Sequence, residues 1–337
     1  MKIKNILIIS DTHEGQRNGV STTLYSLKRC LEKTKLCNVR IIDNSFFPCL
    51  PIFFYRELAL AITSSKNLLK IIQSSKFDAI HIMTEGPLGF LARKLCHQNQ
   101  WRYTTHYCTQ FPELINFYTH IPIKLLSLYF YFFHKKSVRT FVPSRGMARV
   151  FSKKNPHIVF VPIGVPVLKP PKKLVKINPY KDLKSPILLC VGRISKEKGI
   201  EDFCKLSTKG SKVIVGDGPI LLDLQKKYRD VIFFGSVPHS DIHQYYLNAD
   251  VLVFPSKFDS FGRVIIEANA CGLPVAGYSS SFGMQDVIKN EKNGFHSTNL
   301  QKAVGQALKC KRSNVTLPAQ YDEKQCAEEF YNNLSEI

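Results

Sequence analysis

Short runs of aliphatic and β-branched residues alternate along the chain with longer stretches in which apolar positions recur every three or four residues. The short runs, bounded by turn residues, predict buried strands; the wider period predicts amphipathic helices. In the first half, strands are predicted at Ile6–Ser10, Val39–Asp43, Ala79–Met83, Tyr103–Thr105, Thr140–Val142 and Val159–Val161. Between the first two, "GVSTTLYSLKRCLEKT" puts Val20, Leu24, Leu27 and Leu31 on one helical face. Strands recur at Ile187–Val191, Lys212–Val215, Val231–Phe234 and Val251–Phe254, with helices between them, one of them in "PHSDIHQYYLNAD". Such alternation builds parallel sheets from βαβ units. The Pro- and Lys-rich stretch "PIGVPVLKPPKKLVKINPYKDLKSP" reads as a linker. The expected architecture is therefore α/β. Residues 1–165 form one doubly wound Rossmann-like domain, 166–186 a linker, 187–317 a second such domain, and 318–337 a C-terminal helix that could pack back on the first. In sheets of this kind ligands bind at the carboxyl ends of the strands.

Composition narrows the class. The chain has 337 residues, which is long for a single core. Its 47 basic against 26 acidic residues give a formal charge of +21, a field that attracts nucleic acid, anionic lipid or phosphorylated ligands alike. The ten cysteines include no Cys-x-x-Cys pair, and several sit inside apolar runs, which suits reduced thiols in a cytoplasmic compartment. "MKIKNILIIS" runs straight into a strand and has no small-residue cleavage site, so a signal peptide is not expected. The longest apolar run, "LLSLYFYFF" at 125–133, is about half of the ~20 residues a membrane span needs.

Two segments carry candidate chemistry. In "FPSKFDSFGRVIIEANACGLPVAGY" a strand ends and a polar turn holds Asp259. A helix is predicted to begin near Phe261–Gly262 with Ser260 as its N-cap, and to stop at Gly272 and Pro274. Glu267 then falls inside the helix among Val264, Ile265, Ile266 and Ala270. A buried carboxylate needs a partner. It could be a core acid paired with a lysine; alternatively, two acids can accept hydrogen bonds from vicinal hydroxyls of a sugar, with an anion on the amides of the helix start. In "VGRISKEKGIEDF", Arg193 and Lys198 flank a short loop and suit a diphosphate; a solvated charged loop has the same composition. "SDTHEGQRNGVSTT", with Gly15 and Gly19, lacks the full Gly-x-Gly-x-x-Gly pattern. "VGDGP", with Gly216 and Asp217, is a strand end that either lines a nucleotide pocket or simply turns.

In this order, these segments resemble the retaining glycosyltransferases of family 4 with the GT-B fold, in which two Rossmann-like domains face each other across a cleft. "HIMTEGPLG" and "YTTHYCTQFPEL" are similar to first-domain motifs of its mannosyltransferase-like branch, and the spacing of Asp259 and Glu267 matches its acid-x₇-acid motif. The resemblance implies that Glu267 binds the donor ribose and Asp259 the donor sugar. It implies that Arg193 and Lys198 hold the diphosphate, with Gly19 from across the cleft and amides near Gly262. Gly216, Asp217, Phe261 and Arg263 would complete the donor site. No metal or other cofactor is expected, since these cations and the helix dipole supply the positive charge. Two positions depart from the pattern. Cys108 stands where the family has its histidine, and His106, two residues earlier, either substitutes for it in catalysis or is packed. Arg263 replaces an apolar residue.

The implied activity is transfer of a hexose, mannose favoured, from GDP-mannose or a UDP-hexose to a glycolipid or glycan acceptor. The segments 46–76 and 123–139 are aromatic or aliphatic with interspersed Lys and Arg. They suit either an anionic membrane surface, with the protein peripheral there, or core helices. Two other readings stand beside the enzyme: a catalytically impaired sugar-nucleotide binder, and a nucleic-acid-associated protein of the same fold, although no nucleic-acid motif is present.

Overall fold

The computed structural model describes residues 4–16, 18–52, 55–153, 155–165 and 178–335. The chain divides into two compact units, Met1–Gly164 with Gln320–Ile337, and Val165–Ala319. Most of the expected linker, residues 166–177, lies outside the described residues.

The first unit contains β1 (Asn5–Ile9), β2 (Asn38–Ile42), β3 (Cys49–Ile52), β4 (Tyr55–Ala61), β5 (Ala79–Ile82), β6 (Tyr103–His106), β7 (Thr140–Val142) and β8 (Ile158–Phe160). Six of them form a parallel sheet in the order β2-β1-β5-β6-β7-β8. Side chains alternate across it as a strand requires. Ile6 and Ile8 face a core closed by Leu24, Leu31 and Phe330, whereas Leu7 and Ile9 face Leu68, Ile72, Leu88 and Ala92. The helices Gly19–Lys33 and Glu323–Ser335 therefore cover one face, and Ser65–Gln73 and Pro87–Gln98 the other. The C-terminal helix is tied down where Ser26 donates to the Glu323 carboxylate and Arg139 donates to the Asn333 carbonyl at 3.0 Å.

β3 and β4 make a separate antiparallel hairpin with Leu50 opposite Leu60, which the reading of 46–76 as helical did not foresee. Alternation there is blurred because Pro51 and the flanking aromatics make the stretch look uniformly apolar.

The second unit contains β9 (Ile187–Val191), β10 (Ser211–Val215), β11 (Val231–Gly235), β12 (Val251–Phe254), β13 (Val275–Tyr278) and β14 (Gly294–Ser297). All are parallel, in the order β11-β10-β9-β12-β13-β14. β9 and β12 read as unbroken apolar runs because both faces are covered. The last two strands escaped the sequence reading: Gly277 and the polar pair His296–Ser297 dilute their apolar pattern. The order reverses between β9 and β12, so the crevice at their carboxyl ends is the unit's topological switch point.

One close approach fixes a wall of that crevice. A Cβ added to Gly283 would fall 1.6 Å from the Phe261 carbonyl, so the helix Phe282–Val287 lies directly against the loop after β12. Gly305, inside the helix Leu300–Ala307, meets nothing within 4 Å. Gly283→Ala is expected to lower unfolding stability by roughly 2 kcal/mol or more through overpacking, whereas Gly305→Ala should be neutral or stabilising by up to about 1 kcal/mol. Urea unfolding of the two variants beside the wild type checks this; equal effects would contradict the packing described.

Candidate active site

Three loops meet at the carboxyl edge of the second sheet. After β9 the chain passes Arg193 into a short 3-10 turn, Lys196–Lys198, and then into the helix Ile200–Cys204. A Cβ on Gly199 would stand 2.4 Å from the Pro255 carbonyl, so this loop abuts the one after β12. The loop after β10 joins them. A Cβ on Gly216 would stand 1.9 Å from the Gly192 carbonyl, and the Ile194 amide donates to the Asp217 carbonyl at 2.8 Å.

Lys198 and Asp259, 61 residues apart, are thereby joined: Nζ lies 2.6 Å from Oδ2, with the lysine side chain about a third exposed. A pair this wet contributes at most about 1 kcal/mol to folding, so it can exchange partners cheaply. Arg193 leans on Glu197 at 3.8 Å, and Glu197, buried, also receives the Ser195 hydroxyl at 2.5 Å. Ser195 and Glu197 were not singled out in the sequence, because "SKEK" looks like ordinary surface.

Glu267 is 6% exposed in the helix Arg263–Ala270. Its partners belong to the protein: Tyr246 donates its hydroxyl to Oε2 at 3.0 Å, and Arg263, one helical turn earlier, stands 3.6 Å from Oε1. The sequence offers a lysine or a sugar's hydroxyls as the acid's partner; the structure supplies a tyrosine and an arginine. It also gives the unexpected Arg263 a role, since an apolar residue there would leave the carboxylate without its cation. Burial and the neighbouring carboxylate push the Tyr246 hydroxyl well above its ordinary range, keeping it a donor. No spacing rule points from Glu267 to a tyrosine 21 residues away, and the only signal was an aromatic hydroxyl on a helix otherwise bound for the core.

The helix start also differs from expectation. Gly262, at φ +76°, stands in the N-cap position where Ser260 was expected, and the helix begins at Arg263. Phe261 is buried, packing the loop from below.

Gly19 and His106 belong to the other unit. Gly19 opens the helix Gly19–Lys33, and a Cβ there would meet nothing within 4 Å. His106 is the last residue of β6 and is 3% exposed, packed edge-on against His81 and Phe141. Among the described residues neither ring nitrogen has a hydrogen-bond partner, and burial lowers its pKa to about 3. Of the two readings of this ring, catalytic or packed, its enclosure fits the packed one, because β6 is a central strand covered on both faces. Cys108, two residues on, is half-buried.

Unit one's own switch point, between β1 and β5, is filled from within. Asp11 accepts from the Leu88 and Gly89 amides at 2.8 and 3.2 Å and from the Thr84 hydroxyl at 2.8 Å, capping the helix Pro87–Gln98. Beside it Glu85 meets His134 Nε2 at 3.2 Å; burial raises the acid well above its usual range and lowers the histidine to about 3, favouring the uncharged form of each.

Residues 16–167 match the family described as "Glycosyltransferase Family 4", and residues 175–310 match "Glycosyl transferases group 1". The chain is 26% identical over 275 residues to a sulfoquinovosyl transferase of Arabidopsis thaliana, covering 76% of this chain but 52% of that one, about half its length. It is 26% identical over 326 residues to an alpha-monoglucosyldiacylglycerol synthase of Streptococcus pneumoniae, covering 85% and 74%. Among solved structures, the Anabaena protein HepE in complex with UDP and glucose superposes with a TM-score of 0.70 at 17% identity, over 99% of this chain and all of that one.

The enclosed ring yields a pH test. The unfolded His106 takes a proton near its ordinary pKa of 6.5, while the folded one refuses it until about 3. Stability is therefore complete above 6.5 and falls with pH by about 1.4 kcal/mol per unit below it. His106→Leu should be more stable than wild type by about 2 kcal/mol at pH 5, relative to the same comparison at pH 7.5. Urea titrations at both pH values measure it; an identical difference at each would show the ring titrating normally.

Proposed function

Because the chain belongs to the family 4 glycosyltransferases, enzymes with two Rossmann-like parallel sheets of the GT-B type, we propose that it transfers a hexose from a nucleotide-sugar to a lipid-linked or glycan hydroxyl. The observation that supports this reading is the ion pair joining Lys198 to Asp259 between two loops at the second unit's switch point, with Arg193 on the first of those loops and Glu267 in the helix that follows the second. Mannose from GDP-mannose is the favoured donor, and a UDP-hexose the other. The glycolipid-synthesising names of the two relatives support a lipid acceptor.

In this reading Glu267, held by Tyr246 and Arg263, accepts from the ribose hydroxyls. Lys198 and Arg193 receive the diphosphate, and Asp259, released from Lys198, accepts from hydroxyls of the sugar. Gly216, Asp217, Phe261 and Gly262 shape the nucleotide's surroundings. The bond between the anomeric carbon and the phosphate oxygen breaks, and the oxygen keeps the electron pair. The acceptor oxygen bonds to the same face of the anomeric carbon, and its proton passes to the departing phosphate, which retains configuration. Arg193 and Lys198 balance the growing negative charge, the work a metal ion would otherwise do. No proton transfer is assigned to His106, which is enclosed, and Cys108 occupies the family histidine's place.

The test is release of GDP or UDP from candidate donors in the presence of detergent-solubilised glycolipid, with the product's anomeric configuration read by NMR. Lys198→Ala should slow transfer by about 10²-fold or more while weakening nucleotide binding less than about tenfold, since the charge it meets grows in the transition state. An equal loss in both would contradict that role.

A further inference from the structure

Among the described residues, no helix is long and apolar enough to cross a membrane. Yet the helix Ile123–His134 carries more large apolar side chains than unit one can use. Its inner face is spent: Phe130 and Phe133 are buried, and Phe130 stacks on Phe111 of the helix Phe111–Thr119 with ring centroids 5.9 Å apart. Its outer face is not. Leu125, Leu128 and Phe132 each keep more than half of their surface exposed, and Ile121 just before the helix is 38% exposed. The spacing 121, 125, 128, 132 is a single helical stripe. It ends at exposed Lys135 and Lys136 and has exposed Lys124 beside it.

The charge around the stripe is one-sided. From Leu114 to Lys153 the chain carries seven Lys and Arg and no Asp or Glu. Of the acids on adjoining elements, Glu85 is buried and Glu113 half-buried, and burial raises both carboxyls. A second copy of this chain would bring an equally basic face to the stripe, on a molecule of formal charge +21. The complement of an apolar stripe edged by lysines is a layer that is apolar inside and anionic at its surface.

We propose that this stripe seats unit one on an anionic lipid bilayer, with Leu125, Leu128 and Phe132 entering the headgroup region and Lys124, Lys135 and Lys136 on the phosphates. The face is rigidly tied to the sheet edge. Tyr129 donates its hydroxyl to the Glu85 carbonyl at 2.7 Å, Arg93 donates to the Phe133 carbonyl at 2.9 Å, and His134 meets the Glu85 carboxyl. Docking therefore holds the carboxyl end of β5, five residues past which the chain enters the helix capped by Asp11, at the lipid surface. The inference rests on the lipid-acceptor reading above and locates where that acceptor is met.

The full-length protein is floated with phosphatidylglycerol–phosphatidylcholine vesicles and with phosphatidylcholine alone, at low and high salt. Binding is expected on the anionic vesicles and to weaken with salt, and to be at least about tenfold weaker on the neutral ones. A variant with Leu125→Ser, Leu128→Ser and Phe132→Ser should lose at least about tenfold of the anionic binding. Lys135→Glu with Lys136→Glu should do the same by a charge change that leaves the helix apolar face intact. Both variants should keep the wild-type thermal stabilisation by nucleotide, which reads the donor site alone. Nucleotide stabilisation without vesicle binding would overturn the docking face and leave the transferase reading standing; vesicle binding without nucleotide stabilisation would do the reverse. Undiminished binding by both variants, or a salt-resistant dimer that the serine variant dissociates, would also overturn the proposal.

Discussion

An ionised side chain leaving water must be met by a partner or lose several kcal/mol, and that requirement shapes both sheet edges of this protein. At the second unit's switch point it is met by ion pairs of different depth. Arg263 and Glu267 are nearly sealed, with Tyr246 donating to the other carboxylate oxygen, so they form a fixed feature of the wall. Lys198 and Asp259 are wetter and can part. The combination gives a crevice whose charges are balanced when empty and whose lysine can be claimed by a stronger anion. A diphosphate, with more charge and more acceptor oxygens than one carboxylate, is such a competitor.

The first unit meets the same requirement in the opposite way. Its sheet also reverses order beside its first strand, but there Asp11 occupies the start of the helix Pro87–Gln98 and accepts the amides an external anion would need. Glu85 and His134 are buried in contact with each other, and His106 and His81 are packed ring against ring. One topology thus yields an edge with cations to offer in unit two and an edge closed by its own carboxylate in unit one. The difference lies in which residues follow the first strand: Asp11 in one, Arg193 and Lys198 in the other.

Much of this was legible before the structure. β1, β9 and β12 are buried on both faces, so their apolar runs announced them directly, and the stop at Gly272 followed from turn chemistry. β3, β4, β13 and β14 were not legible, because proline, glycine and polar residues interrupt the period on which strand recognition rests. Within the site, Asp259, Glu267, Arg193 and Lys198 could be named from motif spacing, but their partners could not. Tyr246 reaches Glu267 only after the chain has laid one helix beside another, and Glu197 carries no mark distinguishing it from a surface acid. The burial of His106 was likewise a property of where β6 falls in the sheet order, and the local sequence "YTTHYC" could not decide between a catalytic and a packed ring.

The account stands on Glu267 being a ligand-binding acid that the fold has braced, and not merely a core carboxylate with adequate partners. Isothermal titration of GDP and UDP into wild type and Glu267→Gln decides this, because glutamine keeps the shape and the Tyr246 contact while losing the charge. The account predicts that one of the two nucleotides binds the wild type and binds the variant, under conditions where both are folded, at least about tenfold more weakly, a difference of about 1.4 kcal/mol. Equal affinity for that nucleotide in both proteins would contradict it.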